Sequence, residues 1–176
     1  MTTLPALATR KFAVPATLLT VLFAVALPFF VHMLPPVGAT PMGAVLLPLF
    51  IAPFIAVLLF HPVAALVASL ATPLLNRSLT GQPTLEMAVL LTVELCAFTV
   101  AALVLTRVWR RSVVNAPIAY LIAKVVAAGV LSVTALIPAL PLGYLSASVV
   151  NALPGLVVLV VVNLLVVRLA GRPSSR

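Results

Sequence analysis

The sequence predicts an all-α polytopic membrane protein, a bundle of about six transmembrane helices with a short third helix. Three observations carry that prediction. The 176 residues are 64% hydrophobic and only 7% charged, whereas soluble domains carry about a quarter charged residues, so the chain has too little polar surface to cover a water-facing globule. The mean hydropathy is +1.35. The apolar runs are separated by polar or Pro/Gly-rich breaks, and most approach the ~20 residues that a helix needs to cross about 30 Å of hydrocarbon.

The first span covers Phe12 to Leu34 and stops at Pro35-Pro36-Val37-Gly38, a cluster that cannot continue a helix. Arg10-Lys11, a short apolar stretch and Ala24-Val25-Ala26 also mimic a secretory signal with its cleavage site. The run continues to Leu34 without a polar break, and Pro28 follows the supposed cut, which favours a retained span. The second span, Met42 to Phe60, ends at His61-Pro62. The third, Val63 to Leu75, covers only about two thirds of the core at ~1.5 Å per residue, which leaves NRSLTGQPT (76–84) partly at membrane depth and shielded by protein. The fourth runs from Leu85 to Thr106, the fifth from Ala116 to Ile137, followed by the loop PALPLGY, and the sixth from Ala147 to Val167. Residues 12–168 thus form one transmembrane domain between the tails 1–11 and 169–176.

Charge then orients the bundle. Arg10, Lys11, Arg107, Arg110, Arg111, Arg168, Arg172 and Arg176 fall on one side of these spans, Arg77 on the other and Lys124 inside a span. The positive-inside rule puts both termini in the cytoplasm and explains the net charge of +8 better than nucleic-acid binding does. The loops after the first, third and fifth spans face outward.

The acidic residues are Glu86 and Glu94, with no Asp, so two-metal hydrolases, Asp-rich lipid transferases and Ser-His-Asp triads lack their carboxylates. Cys96 is the single cysteine, and the topology separates His32 from His61, so no metal set is expected. Neither a P-loop nor a dinucleotide fingerprint occurs. No cofactor and no enzymatic activity are expected.

Glu94 is the most informative residue. It lies about 13 Å below the outer end of its helix, where an ionisable group costs on the order of 3 kcal/mol unless it is paired or faces a wet cavity. It either faces a ligand or locks two helices together. Lys124 stands at similar depth on the antiparallel fifth span, so a Glu94–Lys124 pair is geometrically possible. The lean of side chains toward their own helix N-terminus opposes the pair, and snorkelling to the cytoplasmic interface is the alternative. Ser148 and Asn151 precede Pro154-Gly155, where a loosened backbone can expose hydrogen-bonding groups to a ligand. Tyr144 stands on the loop above as a candidate lid, or as an ordinary interfacial tyrosine. His32 keeps interest because it falls on the open side.

Small residues recur at four-residue spacing as Ala16, Thr20 and Ala24, and again as Ala64, Ala68 and Thr72. Such stripes let another helix approach closely, whether from this chain or from a partner.

The stretch from Gly38 to Ala101 resembles the substrate-binding S-components of energy-coupling factor (ECF) vitamin transporters. The similarity lies in Leu47-Pro48, Ser69 to Leu75 before Thr80-Gly81-Gln82-Pro83, then Met87 and Glu94-Leu95, with Leu153-Pro154-Gly155 as a further match. The resemblance implies six helices with both termini inside, in a bacterial cytoplasmic membrane. It also implies an outward-facing pocket for a vitamin or related micronutrient, built from the outer parts of the fourth to sixth helices. Within it, Glu94, Asn151, Ser148, Lys124 and His32 are the candidate ligand contacts, and the loops that carry Thr40, Gln82 and Tyr144 are the gates. Lys124 matches no family motif. The resemblance further implies that Ala16, Thr20 and Ala24 dock on a transmembrane T-component driven by two cytosolic ATPases, with Thr20 replacing the usual alanine. The competing expectations are a solitary proton-coupled carrier using Glu94 and a membrane assembly subunit without a ligand.

Overall fold

The computed structural model describes residues 10–36, 40–109 and 112–170, with the backbone alone at 10–13 and 169–170. Every regular element among the described residues is a helix: α1 (Arg10–His32), α2 (Met42–Leu46), α3 (Pro48–Leu59), α4 (Pro62–Thr80), α5 (Leu85–Val108), α6 (Asn115–Val133), α7 (Pro141–Asn151) and α8 (Leu153–Ala170). Five apolar stretches are long enough to cross a membrane, with α2 and α3 counting together, and α7–α8 makes up to 6 if that bent pair is one span. The chain is an all-α polytopic membrane protein. Of the charges that set the expected orientation, Arg110, Arg111, Arg172, Arg176 and the side chains of Arg10 and Lys11 lie outside the description.

Local chemistry sets the boundaries. Pro48, Pro62 and Pro141 each begin a helix, where a missing N–H costs nothing. His61 caps α4, its Nδ1 accepting from Val63 N at 3.2 Å, and Thr84 caps α5, its Oγ1 accepting from Met87 N at 3.4 Å. Gly81 ends α4 in the left-handed region at φ 73°.

The third span is not short. It is α4, of 19 residues, and it carries Asn76 through Thr80 inside the helix. Its hydroxyls bond back into its own backbone, Ser78 Oγ to Leu74 O at 2.9 Å and Thr80 Oγ1 to Asn76 O at 2.7 Å, so a polar stretch continues the helix up to Gly81. The broken elements lie elsewhere. The second span breaks at Leu47, a non-glycine residue at φ 55°, a conformation that costs about 1–2 kcal/mol. The sixth bends by 60° between α7 and α8, at Ala152 before Leu153-Pro154. The loop before it is also shifted: α6 ends at Val133, and Pro141 to Tyr144 are already helical.

Large apolar side chains such as Leu18, Leu22, Val100, Val104, Val125 and Val157 point outward, as a bilayer-facing surface requires. Small residues hold the helices together. Ala24 of the first stripe is fully buried against Ala52 and Ala68, and Thr20 is buried with its hydroxyl on Ala16 O at 2.7 Å. The stripe Ala16, Thr20 and Ala24, expected to dock a partner, therefore packs inside this chain at Ala24, against α3 and α4, with Thr20 buried and Ala16 half-buried. Its small side chains are what let α1 approach them. A further stripe, Ala116, Ala119, Ala123 and Ala127, is fully buried on α6.

The α2–α3 break depends on Gly155. A β-carbon there would lie 2.6 Å from both Leu47 Cγ and the carbonyl oxygen of Val45. Gly155→Ala should destabilise the protein by about 1–3 kcal/mol through overpacking, read as a lower Tm in detergent. Gly129, with no atom within 4 Å of its missing β-carbon, is the control, and Gly129→Ala should stabilise α6 by about 0.5–1 kcal/mol. Equal Tm changes would contradict the close approach.

Candidate functional site

The antiparallel alternation of the helices gathers the C-terminal ends of α1 and α4, the N-terminal half of α5, and α2 and α7 at one end of the bundle. They surround a partly open cavity of about 560 Å³. Exposed Arg107, Trp109 and Arg168 stand at the opposite end, where α5 and α8 finish. The cavity wall is chiefly apolar and aromatic, with Phe29, Leu47, Phe50, Met87, Leu91, Tyr120 and Tyr144 among its residues. Behind it, Phe50 packs edge-on against both Phe98 and Tyr120, each with centroids 5.1 Å apart.

Deep in this wall the two ionisable residues of the membrane interior meet. Lys124 Nζ donates to both oxygens of Glu94 at 2.8 Å and to Tyr144 Oη at 3.2 Å, and Tyr144 donates its hydroxyl to Glu94 Oε1 at 2.5 Å. Glu94 is 0% exposed and the Lys124 side chain 7%. The ammonium group also lies 5.4 Å from the Tyr120 ring centre and 5.0 Å from that of Tyr144, within cation–π range. All three ammonium protons have acceptors and the cluster has no net charge. Lys124 therefore does not snorkel. Its long stem spans the offset that the opposed lean of the two side chains creates.

The cavity brings together most of the residues singled out from the sequence. Lys124, Tyr144, Ser148, Asn151, His32 and Gln82 all line it, whereas Glu94 and Thr40 do not. Glu94 sits behind Lys124 and Tyr144 with both oxygens engaged. Thr40 is half-buried beside Pro41, which does line the cavity. Tyr144 belongs to helix α7 and not to a loop, so it acts as a fixed strut between α7 and the ion pair. Ser148 supplies its backbone carbonyl to Tyr120 Oη at 3.3 Å. The His32 ring closes on α2, where a β-carbon at Gly43 would lie 2.8 Å from His32 Cε1.

Two wall residues escaped the sequence reading. Tyr120 lies one helical turn before Lys124, a spacing that shares a face. Asn76, 8% exposed, lines the cavity and its carboxamide has no hydrogen-bond partner among the described residues. The signal for Asn76 was its place at membrane depth. Among the described residues no group of three His, Cys, Asp or Glu side chains could hold a metal ion.

A scan against protein-family profiles finds no match, and searches of curated proteins and of solved structures find none either.

Lys124→Met should destabilise the protein by about 3–5 kcal/mol, because it strands a buried carboxylate. Tyr144→Phe should cost about 1.5–3 kcal/mol, the worth of one hydrogen bond to a charged group. The double change Lys124→Met/Glu94→Gln should recover most of the first loss. Thermal unfolding in detergent measures all three, and a double variant no better than Lys124→Met would contradict the pairing.

Proposed function

We propose that the chain is the membrane-embedded substrate-capture subunit of an ATP-driven ECF-type importer, taking a vitamin or related micronutrient from outside and tilting to release it inside. The observation that carries this reading is the cavity of about 560 Å³ at the end of the bundle opposite Arg107 and Arg168. A pocket of this size with an apolar body and few polar points suits a small organic ligand. The positive-inside rule assigns the arginine-bearing end to the cytoplasm, which makes the cavity outward-facing and puts both termini inside a bacterial cell membrane.

The chain has no nucleotide-binding motif, so energy comes from partners: a transmembrane T-component and two cytosolic ATPases. Because Thr20 is buried and α3 and α4 already cover Ala24, the T-component contacts other residues of the apolar exterior. That exterior suits tilting, because few polar groups cross hydrocarbon when the bundle rotates. In this mechanism the Glu94–Lys124–Tyr144 cluster fixes α5, α6 and α7 as the rigid back of the pocket, and ligand meets Asn76, Ser148 and Asn151 in front of it.

A second reading, a solitary proton-coupled carrier, draws on the fully buried Glu94 between a lysine and a tyrosine. Uptake of a panel of vitamins in cells with and without the ATPase module separates the two. The importer reading expects sub-micromolar binding of one panel member to the purified chain, co-purification of the ATPases, and uptake that vanishes without them. Uptake that persists supports the carrier. Absence of both binding and partners overturns transport altogether.

A further inference from the structure

The cavity wall also carries information about the charge of its ligand. Lys124 is the only charged side chain among the described residues that line it, with His32 counted as neutral. Its three protons are already given to Glu94 and Tyr144. An anion would have to draw the ammonium group away from Glu94 and leave that carboxylate buried and unpaired, and a cation would find no free carboxylate. Neither exchange returns what it removes.

Three carboxamides without a side-chain hydrogen bond among the described residues line the cavity, Asn76, Gln82 and Asn151, and of these Asn76 is the buried one. It is nine-tenths buried, it lines the cavity, and its carboxamide makes no hydrogen bond among the described residues. The neighbouring hydroxyl of Thr80 is committed to the carbonyl oxygens of Asn76 and Gln82 at 2.7 and 3.0 Å. A carboxamide offers a donor and an acceptor side by side, and their complement is another donor–acceptor edge, as in an amide or lactam. Elsewhere in the cavity wall, Phe50, Tyr120 and Tyr144 supply aromatic surface, which suits a flat apolar body.

We propose that the cavity selects an uncharged molecule with a planar apolar body and an amide-like edge that pairs with the side chain of Asn76. This deepens, and rests on, the reading of the cavity as a capture site. It assigns the Glu94–Lys124–Tyr144 cluster a specificity role through neutrality, without direct contact between Glu94 and ligand.

A matched set of probes tests it on the purified full-length protein: indole-3-acetamide, indole-3-acetate and tryptamine, which share a ring system and are neutral, anionic and cationic at neutral pH. Titration calorimetry in detergent should give the amide a Kd at least about tenfold lower than either charged probe, the scale on which leaving site groups unpaired discriminates ligands. Asn76→Leu should weaken binding of the amide about tenfold and so narrow its lead, and Asn76→Gln, which keeps a carboxamide, should retain part of the affinity. A charged probe that binds as tightly as the amide, no saturable binding by any of the three, or equal behaviour of the two variants would overturn the proposal. The binding assay needs no ATPase module. A chain that ranks the amide first but transports nothing with the module fails only the importer reading, whereas a chain that imports with the module but ranks the carboxylate first fails only this inference.

Discussion

One carboxylate and one ammonium group, buried between helices of an otherwise apolar bundle, have to neutralise each other, and the arrangement of the cavity follows from how they do so. Glu94 of α5 and Lys124 of α6 form the pair, and Tyr144 of α7 closes it into a triangle in which each group bonds the other two. Because Tyr144 must reach across to Glu94, α7 is held over the cavity end of α5 and α6. The face that α7 presents there, through Ala147, Ser148 and Asn151, becomes one side of the cavity. The electrostatic constraint and the shape of the site are thus the same feature.

The rest of the cavity exists because two spans are broken while four, α1 among them, are continuous. α4, α5 and α6 run unbroken and pack through alanines, serine and threonine, with Ser69 Oγ and Thr99 Oγ1 2.7 Å apart between α4 and α5. The second and sixth spans instead break at Leu47 and Ala152, and the breaks are packed together, since Gly155 at the start of α8 lies directly on Val45 and Leu47. Irregular backbone at membrane depth is stable where protein buries it or where it borders a wet space. Here it does both. A left-handed leucine in the wall of a cavity is also the kind of local strain that concentrates at binding sites.

The fold class was legible because hydrophobic run length and Pro/Gly punctuation are direct consequences of bilayer thickness. Five of the expected spans correspond closely to helices or helix pairs. The third did not, because Asn76, Ser78 and Thr80 look like loop residues by composition, yet Ser78 and Thr80 return their hydroxyls to the helix that carries them. The cavity residues Lys124, Ser148, Asn151, His32 and Gln82 were readable as polar groups on the expected outer half or at membrane depth. What could not be read was which of them were already engaged. Side-chain lean argued against a Glu94–Lys124 pair, and only the three-dimensional offset, bridged by the lysine stem, decides for it. Tyr144 was misplaced because PALPLGY reads as a loop, although Pro141 is a good first residue for a helix. The small-residue stripe of α1 was visible, but spacing alone does not say which helix meets it, and in this chain α3 and α4 do so at Ala24.

The central proposal is that the cavity faces outside while the arginine-bearing end faces the cytoplasm. Single-cysteine labelling of intact cells with a membrane-impermeant maleimide, on a background with Cys96 replaced by Ala, tests it most directly. Asn151→Cys, at the cavity, should react in intact cells, and Arg168→Cys should react only after the membrane is permeabilised. The reverse pattern would turn the cavity toward the cytoplasm and contradict capture from outside.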